Sequence, residues 1–560
     1  MLTRRDFVQV VAAVAAGVPG GVAHAAGRAA VTQDELLAFK PVGQVTLLNF
    51  CDIHAQLVPL YFREPSVNLG VGAARGVPPH LTGKDFLAHF GLKAGSRAAY
   101  MFTSDDFTAL AHRYGRVGGL DRIATLVKAI RAERPGNTLL LDSGDTWQGS
   151  YTALQNRGAD MVGAMQMLGV EAMTGHWEFT YGKDRVKELT SKLGFAFLAS
   201  NVRDTEWDEE VFAHTAFFNR GGIKIAVIGQ AFPYTPIANP GWMIPTWSFG
   251  IREADMQKRV DAARAAGAQL VVMLSHNGFD ADRKMAARVK GINVILTGHT
   301  HDAIPAVTAV GSTLLVAAGS HGKFLARLDL DVKDGKVANY AFRLIPVLSD
   351  AIAPDPDMAA EIAKIRAPHA ATLGRVLGQT ESLLYRRGNF NGTFDDLICD
   401  ALLQERDAEI ALSPGFRWGA TLLPGQSITV EDVYNQTAIT YPAAYRNAMT
   451  GKALKDLLED VADNLFNVDP YYQQGGDMVR VGGISYTIDP TQSIGKRISD
   501  MRLVRTGKPV DASKTYTVAG WASVNQNTKG PAIWDVVTKF VADRKSVSVP
   551  ESQLVKVVGA

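Results

Sequence analysis

Apolar residues along this chain follow two alternating rhythms. Val45 to Cys51, Thr138 to Leu141, Lys224 to Ile228, Leu270 to Leu274 and Val294 to Leu296 are short, nearly continuous apolar runs, the pattern of strands buried on both faces. Between them the period lengthens to that of a helix. Leu120 to Arg134 sets Ile123, Val127 and Ile130 on one face, and Arg252 to Ala266 is the other clear instance. Strands alternating with helices in this way predict an α/β sandwich with a layered, mixed sheet core. Pro354-Asp355-Pro356 ends a strand and opens a helix, so the pattern divides the chain into a first domain over 40–355, a linker helix over 356–375 and a second domain over 376–560. Within the first domain, 57–116 reads as an insertion. Its turn-prone pieces, Asn68-Leu69-Gly70-Val71-Gly72 and Pro78-Pro79, predict an irregular loop rather than an added strand, placed to form a lip, a docking surface or a plain surface excursion.

In layered α/β folds, chemistry collects in loops at the carboxyl ends of strands. Asp52-Ile53-His54, Gly144-Asp145, Ser275-His276-Asn277 and Gly298-His299-Thr300-His301 each follow one of the predicted strands, and Gly175-His176-Trp177-Glu178-Phe179 supplies a fifth loop. Ligands converging from several strand ends, with a carboxylate able to bridge two ions, are what a dinuclear hydrolytic centre needs. The predicted ligands are Asp52, His54, Asp145, His176, His276, His299 and His301. His80, His89, His112, His214 and His369 lack this context and read as ordinary surface or core residues; His321, in Ala318-Gly319-Ser320-His321-Gly322, stays a candidate neighbour.

Composition narrows the partners. Fifty-eight basic and 56 acidic residues nearly cancel, so no net field favours nucleic acid or an anionic membrane. The N-terminus carries an address: Thr3-Arg4-Arg5-Asp6-Phe7-Val8, an apolar stretch to Val22, then Ala23-His24-Ala25, the form of a twin-arginine signal over 1–25. That route implies passage to the periplasm already folded, which suits a metal loaded beforehand. The two cysteines, Cys51 and Cys399, sit in no metal-binding spacing and read as separate buried thiols.

Phe50-Cys51-Asp52-Ile53-His54, Gly118-Gly119-Leu120-Asp121-Arg122, Leu141-Asp142-Ser143-Gly144-Asp145-Thr146-Trp147 and Gly298-His299-Thr300-His301 resemble the calcineurin-like metallophosphoesterases of the 5′-nucleotidase family. Phe394-Asp395-Asp396-Leu397-Ile398-Cys399-Asp400-Ala401 and Gly482-Gly483-Ile484-Ser485-Tyr486 extend the resemblance into the last third. It implies a four-layered α/β/β/α sandwich followed by a smaller α/β domain that binds the rest of the substrate. It also implies one metal on Asp52, His54 and His301, a second on His276 and His299, and Asp145 between them. His176 stands where the family has the Asn ligand of its Gly-Asn-His-Glu motif; in another register it would match the catalytic His.

The departures matter most. Aligned on Glu178-Phe179, the family's catalytic His becomes Trp177, and the Asp that orients it becomes Thr180. That dyad helps a poor alkoxide leave, a contribution on the order of 10²–10⁴ in rate. A thiol, with a pKa near ~8.5, leaves without it. This variant motif is similar to the dimanganese sulfate thiohydrolases of periplasmic thiosulfate oxidation. The similarity implies release of sulfate from a cysteine S-sulfonate or S-thiosulfonate on the C-terminal arm of the SoxYZ carrier protein, by a monomer holding two Mn²⁺. A periplasmic 5′-nucleotidase or UDP-sugar phosphohydrolase is the alternative, and a non-catalytic docking protein a third. Trp177 and Arg417 are the candidate catalytic side chains, although Trp177 equally suits a packed ring. Arg417, Arg446, Asn389 and Asn391 are candidates for holding substrate. Arg386 and Arg387 are read as a solvated face.

Overall fold

The computed structural model describes residues 31–390 and 392–559; the leader at 1–25 and Asn391 lie outside them. Two six-stranded sheets form the first domain. In the first, Val45–Phe50 runs parallel to Thr138–Asp142 and antiparallel to Phe324–Lys333; Lys336–Pro346 flanks one side, Ala172–Met173 and Ala196–Phe197 the other. In the second, the order is Thr308–Val310, Thr313–Ala317, Val294–Thr297, Leu270–Ser275, Ile223–Gln230, Thr215–Arg220. Every expected strand is present, with ends shifted by a residue or two.

Alternation of side chains builds the layers. Ile225 and Val227, Val272 and Leu274, Val294 and Leu296 face the first sheet and share its core. Ala226 and Ile228, Val271 and Met273, and Ile295 face the other way, onto Met256, Val260 and Ala263 of Glu253–Ala265 and Phe279 and Met285 of Phe279–Arg288. Leu120–Glu133 covers the first sheet through Ile123, Val127 and Ile130. The result is the four-layered sandwich, helix on sheet on sheet on helix.

The insertion is not an irregular loop. It folds into three short helices, Gly83–Phe90, Arg97–Phe102 and Phe107–Tyr114, which are 8, 6 and 8 residues long. Elements of barely two turns carry too little periodicity to stand out beside their Gly and Pro neighbours. Phe86 and Phe90 join the helix-side core of the second sheet. Single bridges tie Leu60 to Val117 in the first domain and Tyr61 to Thr421 in the second, so the segment runs between the two.

After Pro356–Arg366, capped by the Asp355 carboxylate, the chain enters the second domain. Its four-stranded sheet has the order Tyr445–Thr450, Thr515–Gly520, Ile410–Ser413, Arg480–Gly482, with Thr393–Glu405 packed on it through Phe394, Leu397, Ile398 and Leu402. Arg386 and Arg387, expected in solvent, are 2 % and 5 % exposed. Each has found a carboxylate that adjacency in sequence could not announce: Asp395 for Arg386 and, across the domain boundary, Glu64 for Arg387. Cys51 and Cys399 are separate buried thiols. Among the described residues no helix is long and apolar enough to cross a membrane.

Candidate metal centre

All seven predicted ligands meet at the strand ends of the two sheets, each less than 9 % exposed. They form two overlapping groups, Asp52, His54, Asp145 and His301, and Asp145, His176, His276 and His299; within each, the ligand atoms lie within 4.8 Å of one another. Asp145 is common to both. Its Oδ1 accepts the main-chain N–H of Trp177 at 2.6 Å. That leaves Oδ2 facing inward, 3.1 Å from His176 Nδ1, 3.0 Å from His276 Nε2 and 3.8 Å from His54 Nε2. Asp52 Oδ1 lies 3.2 Å from His301 Nε2, which is 3.1 Å from His54 Nε2.

The backbone explains how strand ends deliver these atoms. Asp52, His54, Asp145, His299 and His301 have φ of 52°, 48°, 59°, 77° and 59°, the left-handed turn that folds a side chain back over the end of its strand. Each costs on the order of 1 kcal/mol. Second contacts hold the turns. The Glu178 carboxylate, fully buried, accepts N–H from Thr146 at 2.6 Å, His176 at 2.7 Å, Trp147 at 3.2 Å and Asp145 at 3.3 Å. His54 and His276 each set one ring nitrogen against a carbonyl, Gln148 O at 3.2 Å and Ser143 O at 2.6 Å, and so present the other to the cluster.

The donor chemistry fits two divalent cations. Lone pairs of two carboxylates and five imidazoles converge with few protons to share among them, and His176 Nε2 and His301 Nδ1 have no protein partner among the described residues. Burial, then His176 and His276, push His299 well below its usual pKa; burial, then His54 and Arg387, do the same to His301. Burial opposes charge on His276 as well, but Asp145 and Asp52 outweigh it and lift it to about 10 in the metal-free protein. Burial would raise Asp145; His176 and His276 reverse that and hold it well below the carboxylate range. Mixed Asp and His donors suit manganese, iron, zinc or cobalt.

A cleft of about 320 Å³ opens onto these ligands between the domains, walled on one side by His54, Asp145, His176 and His299 and on the other by Phe416, Arg417 and Asp477. Trp177 lies in its wall, ring edge-on to Trp418 at 5.1 Å and Phe416 at 5.4 Å, and belongs to the second domain's apolar core. Thr180 is tied to Thr440 by a 2.6 Å hydroxyl contact across the domain boundary. Arg417 reaches from the second domain to His299 O at 3.3 Å and to Gly476 O at 2.6 Å.

Other candidates are placed differently. Arg446 does not approach the centre: it donates to the carbonyls of Arg406 and Asp407 at the end of Thr393–Glu405 and is ion-paired to Asp407 on the surface. Asn389 is engaged in structure, accepting Leu69 N–H at 2.6 Å and so pinning the insertion to the second domain. His321 is buried against His54, ring centroids 5.6 Å apart, and its Nε2 accepts Gly419 N–H across the domain boundary at 3.1 Å. Sequence reasoning missed Phe232, which stacks on His299 at 4.1 Å, and the Gln474 carbonyl, 3.1 Å from His299 Nε2. Neither lies in a chemical motif; Glu178, in the same stretch as His176, carried a signal that was used only as an alignment anchor.

Known proteins share this architecture. Residues 376–535 match the family profile for the 5′-nucleotidase C-terminal domain. The chain is 26% identical over 449 residues to the snake venom 5′-nucleotidase of Naja atra (72% of this chain, 83% of the relative), and 25% identical over 470 residues to the 5′-nucleotidase of Mus musculus (74% and 78%). In structure it is similar to the sulfate thiohydrolase SoxB of Thermus thermophilus, with a TM-score of 0.90 and 36% identity over 93% of this chain and 98% of that one. A 5′-nucleotidase precursor, also from Thermus thermophilus, shares the fold, with a TM-score of 0.74 and 22% identity over 92% and 100% of the two chains. With 93% of its length covered by a structure 36% identical to it, the chain belongs to the 5′-nucleotidase family of metallophosphoesterase-type hydrolases and, within it, groups with SoxB.

Proposed function

We propose that the protein is a periplasmic sulfate thiohydrolase that cleaves the sulfur–sulfonate bond of a cysteine S-sulfonate or S-thiosulfonate carried on the SoxYZ protein. Water adds to the sulfonate sulfur and the S–S bond breaks: R–S–SO₃⁻ + H₂O gives R–SH and HSO₄⁻, with no change in overall redox balance. The observation that carries this reading is a ligand cage kept complete beside Trp177 and Thr180, which stand where a phosphoesterase keeps its proton-handling pair; the 36% identity to a sulfate thiohydrolase supports it.

Two divalent cations, for which we favour Mn²⁺, would supply a water of lowered pKa and charge to offset the sulfonate. The chain's own groups do the rest. Asp145 keeps one oxygen on Trp177 N–H, so the other is fixed between the two ligand groups. Arg417 uses two of its five N–H groups on carbonyls and lines the cleft, leaving donors for sulfonate oxygens. Trp177, Phe416 and Trp418 make an apolar wall that keeps bulk water from the bond. Phe416 stacks directly on Trp418 at 4.1 Å, which leaves no gap for a nucleobase between those two rings. The sulfur leaves as thiolate or persulfide and needs no acid beside it. The twin-arginine leader supports export, and the protein is taken to act as a monomer.

The test is to load the mature protein with Mn²⁺ and follow sulfate release from a thiosulfonated carrier cysteine beside phosphate release from AMP. Sulfate without phosphate is expected. Phosphate without sulfate, or neither product with both metals bound, overturns the proposal.

A further inference from the structure

The turn that carries His299 and His301 is held from the other domain. Arg387 donates from Nη2 to Thr300 O at 2.8 Å and from Nη1 to His301 O at 3.0 Å. It does not line the substrate cleft; its charge is absorbed by Glu64 at 3.2 Å and Asp302 at 3.6 Å. Glu64, from the insertion, also takes Lys323 Nζ at 2.8 Å, and all four side chains are 8 % exposed or less. Two cations and two carboxylates therefore close a buried, neutral cluster around a planar fork whose two arms rest on the carbonyls of a metal-ligand turn.

We propose that Arg387 is the positioning residue of the metal site formed by Asp52, His54 and His301. The fork is what bonds the carbonyls of Thr300 and His301, and a left-handed turn such as that at His301, φ 59°, relaxes unless its surroundings hold it. The second domain thus completes a ligand set that lies wholly in the first. The inference concerns metal binding and stands whichever leaving group the enzyme cleaves.

The experiment titrates the full-length, metal-free mature protein with Mn²⁺, following free Mn²⁺ by its EPR signal. Arg387→Met alone would leave an unbalanced buried charge, so Glu64→Gln accompanies it and restores one cation against one anion. Folding is checked by circular dichroism. The expected result is one Mn²⁺ bound as in the parent and one weakened about 10–100-fold, the range for groups that orient ligands. A His301→Ala background identifies the site, since there the Arg387 change should weaken binding no further. Parental affinity at both sites in R387M/E64Q, or equal weakening of both, overturns the proposal. Should that variant not fold, Arg387→Lys decides: it keeps the charge and loses the fork, so an unchanged titration refutes positioning, and one weakened site supports it.

Discussion

Glu178→Gln is the substitution on which the loop geometry can be judged most sharply. The two side chains are nearly the same shape, so no cavity opens. What changes is polarity: the carboxylate accepts four main-chain N–H groups, two on each oxygen, and an amide can accept on one side only. Its NH₂ would face the N–H of Asp145 and His176, or those of Thr146 and Trp147. Hydrogen bonds to a charged acceptor contribute ~1.5–3 kcal/mol each, so losing two costs about 4 kcal/mol, in the upper tail for point substitutions. Because the affected amides belong to Asp145 and His176, the loss should also appear as metal affinity, about 10–100-fold weaker. Burial, then Asp145, raise the Glu178 pKa above its usual value, and the four amides counter only part of that rise. Calorimetric melting of metal-free and loaded protein, with a Mn²⁺ titration, measures both effects. If E178Q melts and binds metal as the parent does, the carboxyl is protonated in the native protein and the reasoning fails.

Other outcomes follow from the same contacts. Arg417→Ala should lower kcat/KM on the carrier substrate by about 10²–10³-fold, the scale for one donor at developing charge, read from steady-state sulfate release. Arg446→Ala, which removes a guanidinium that donates to the carbonyls of Arg406 and Asp407 away from the centre, should leave kcat/KM within about twofold in the same assay. His299, His301 and His321 are held well below their usual pKa, burial being the largest cause of each, so the unfolded chain binds protons that the folded, metal-free chain refuses. The stability these three contribute is therefore intact above about pH 6.5 and lost as pH falls below it, whereas His276, lifted to about 10, adds stability that is full below about pH 6.5 and lost as pH rises toward 10; chemical denaturation at a series of pH values checks both limbs. Chelation should abolish sulfate release, and Mn²⁺ should restore it, as an assay before and after dialysis would show.

The ligands were legible because their chemistry is local. Asp52, Asp145, His276 and His299 each sit within the first three residues of a loop that closes an apolar run, and a dinuclear site needs that arrangement. The layers were legible from the same runs, since period and length suffice to tell strand from helix at Leu270–Ser275 or Leu120–Glu133. What sequence could not announce were partners chosen by folding. Arg387 looked like half of a solvated pair because Glu64 lies 323 residues away. Arg446 was a candidate for holding substrate because its carbonyl partners, Arg406 and Asp407, carry no signal in the alphabet of side chains. The helices of the insertion were hidden by their own brevity.

The first sheet has a consequence for assembly. Val45–Phe50 occupies its middle, yet its antiparallel neighbour is Phe324–Lys333, and Thr46 donates to Asp329 across 283 residues of chain. During synthesis the earliest strand must wait for more than half the protein before its second edge is covered, and Arg387 emerges later still. Loops that depend on such distant partners form late, since closing so long a stretch of chain delays the contact. The grip of Arg387 on the His301 turn is thus added only after the second domain has begun to fold, so on this reading the site of Asp52, His54 and His301 gains its full affinity near the end of the protein's making rather than at its start.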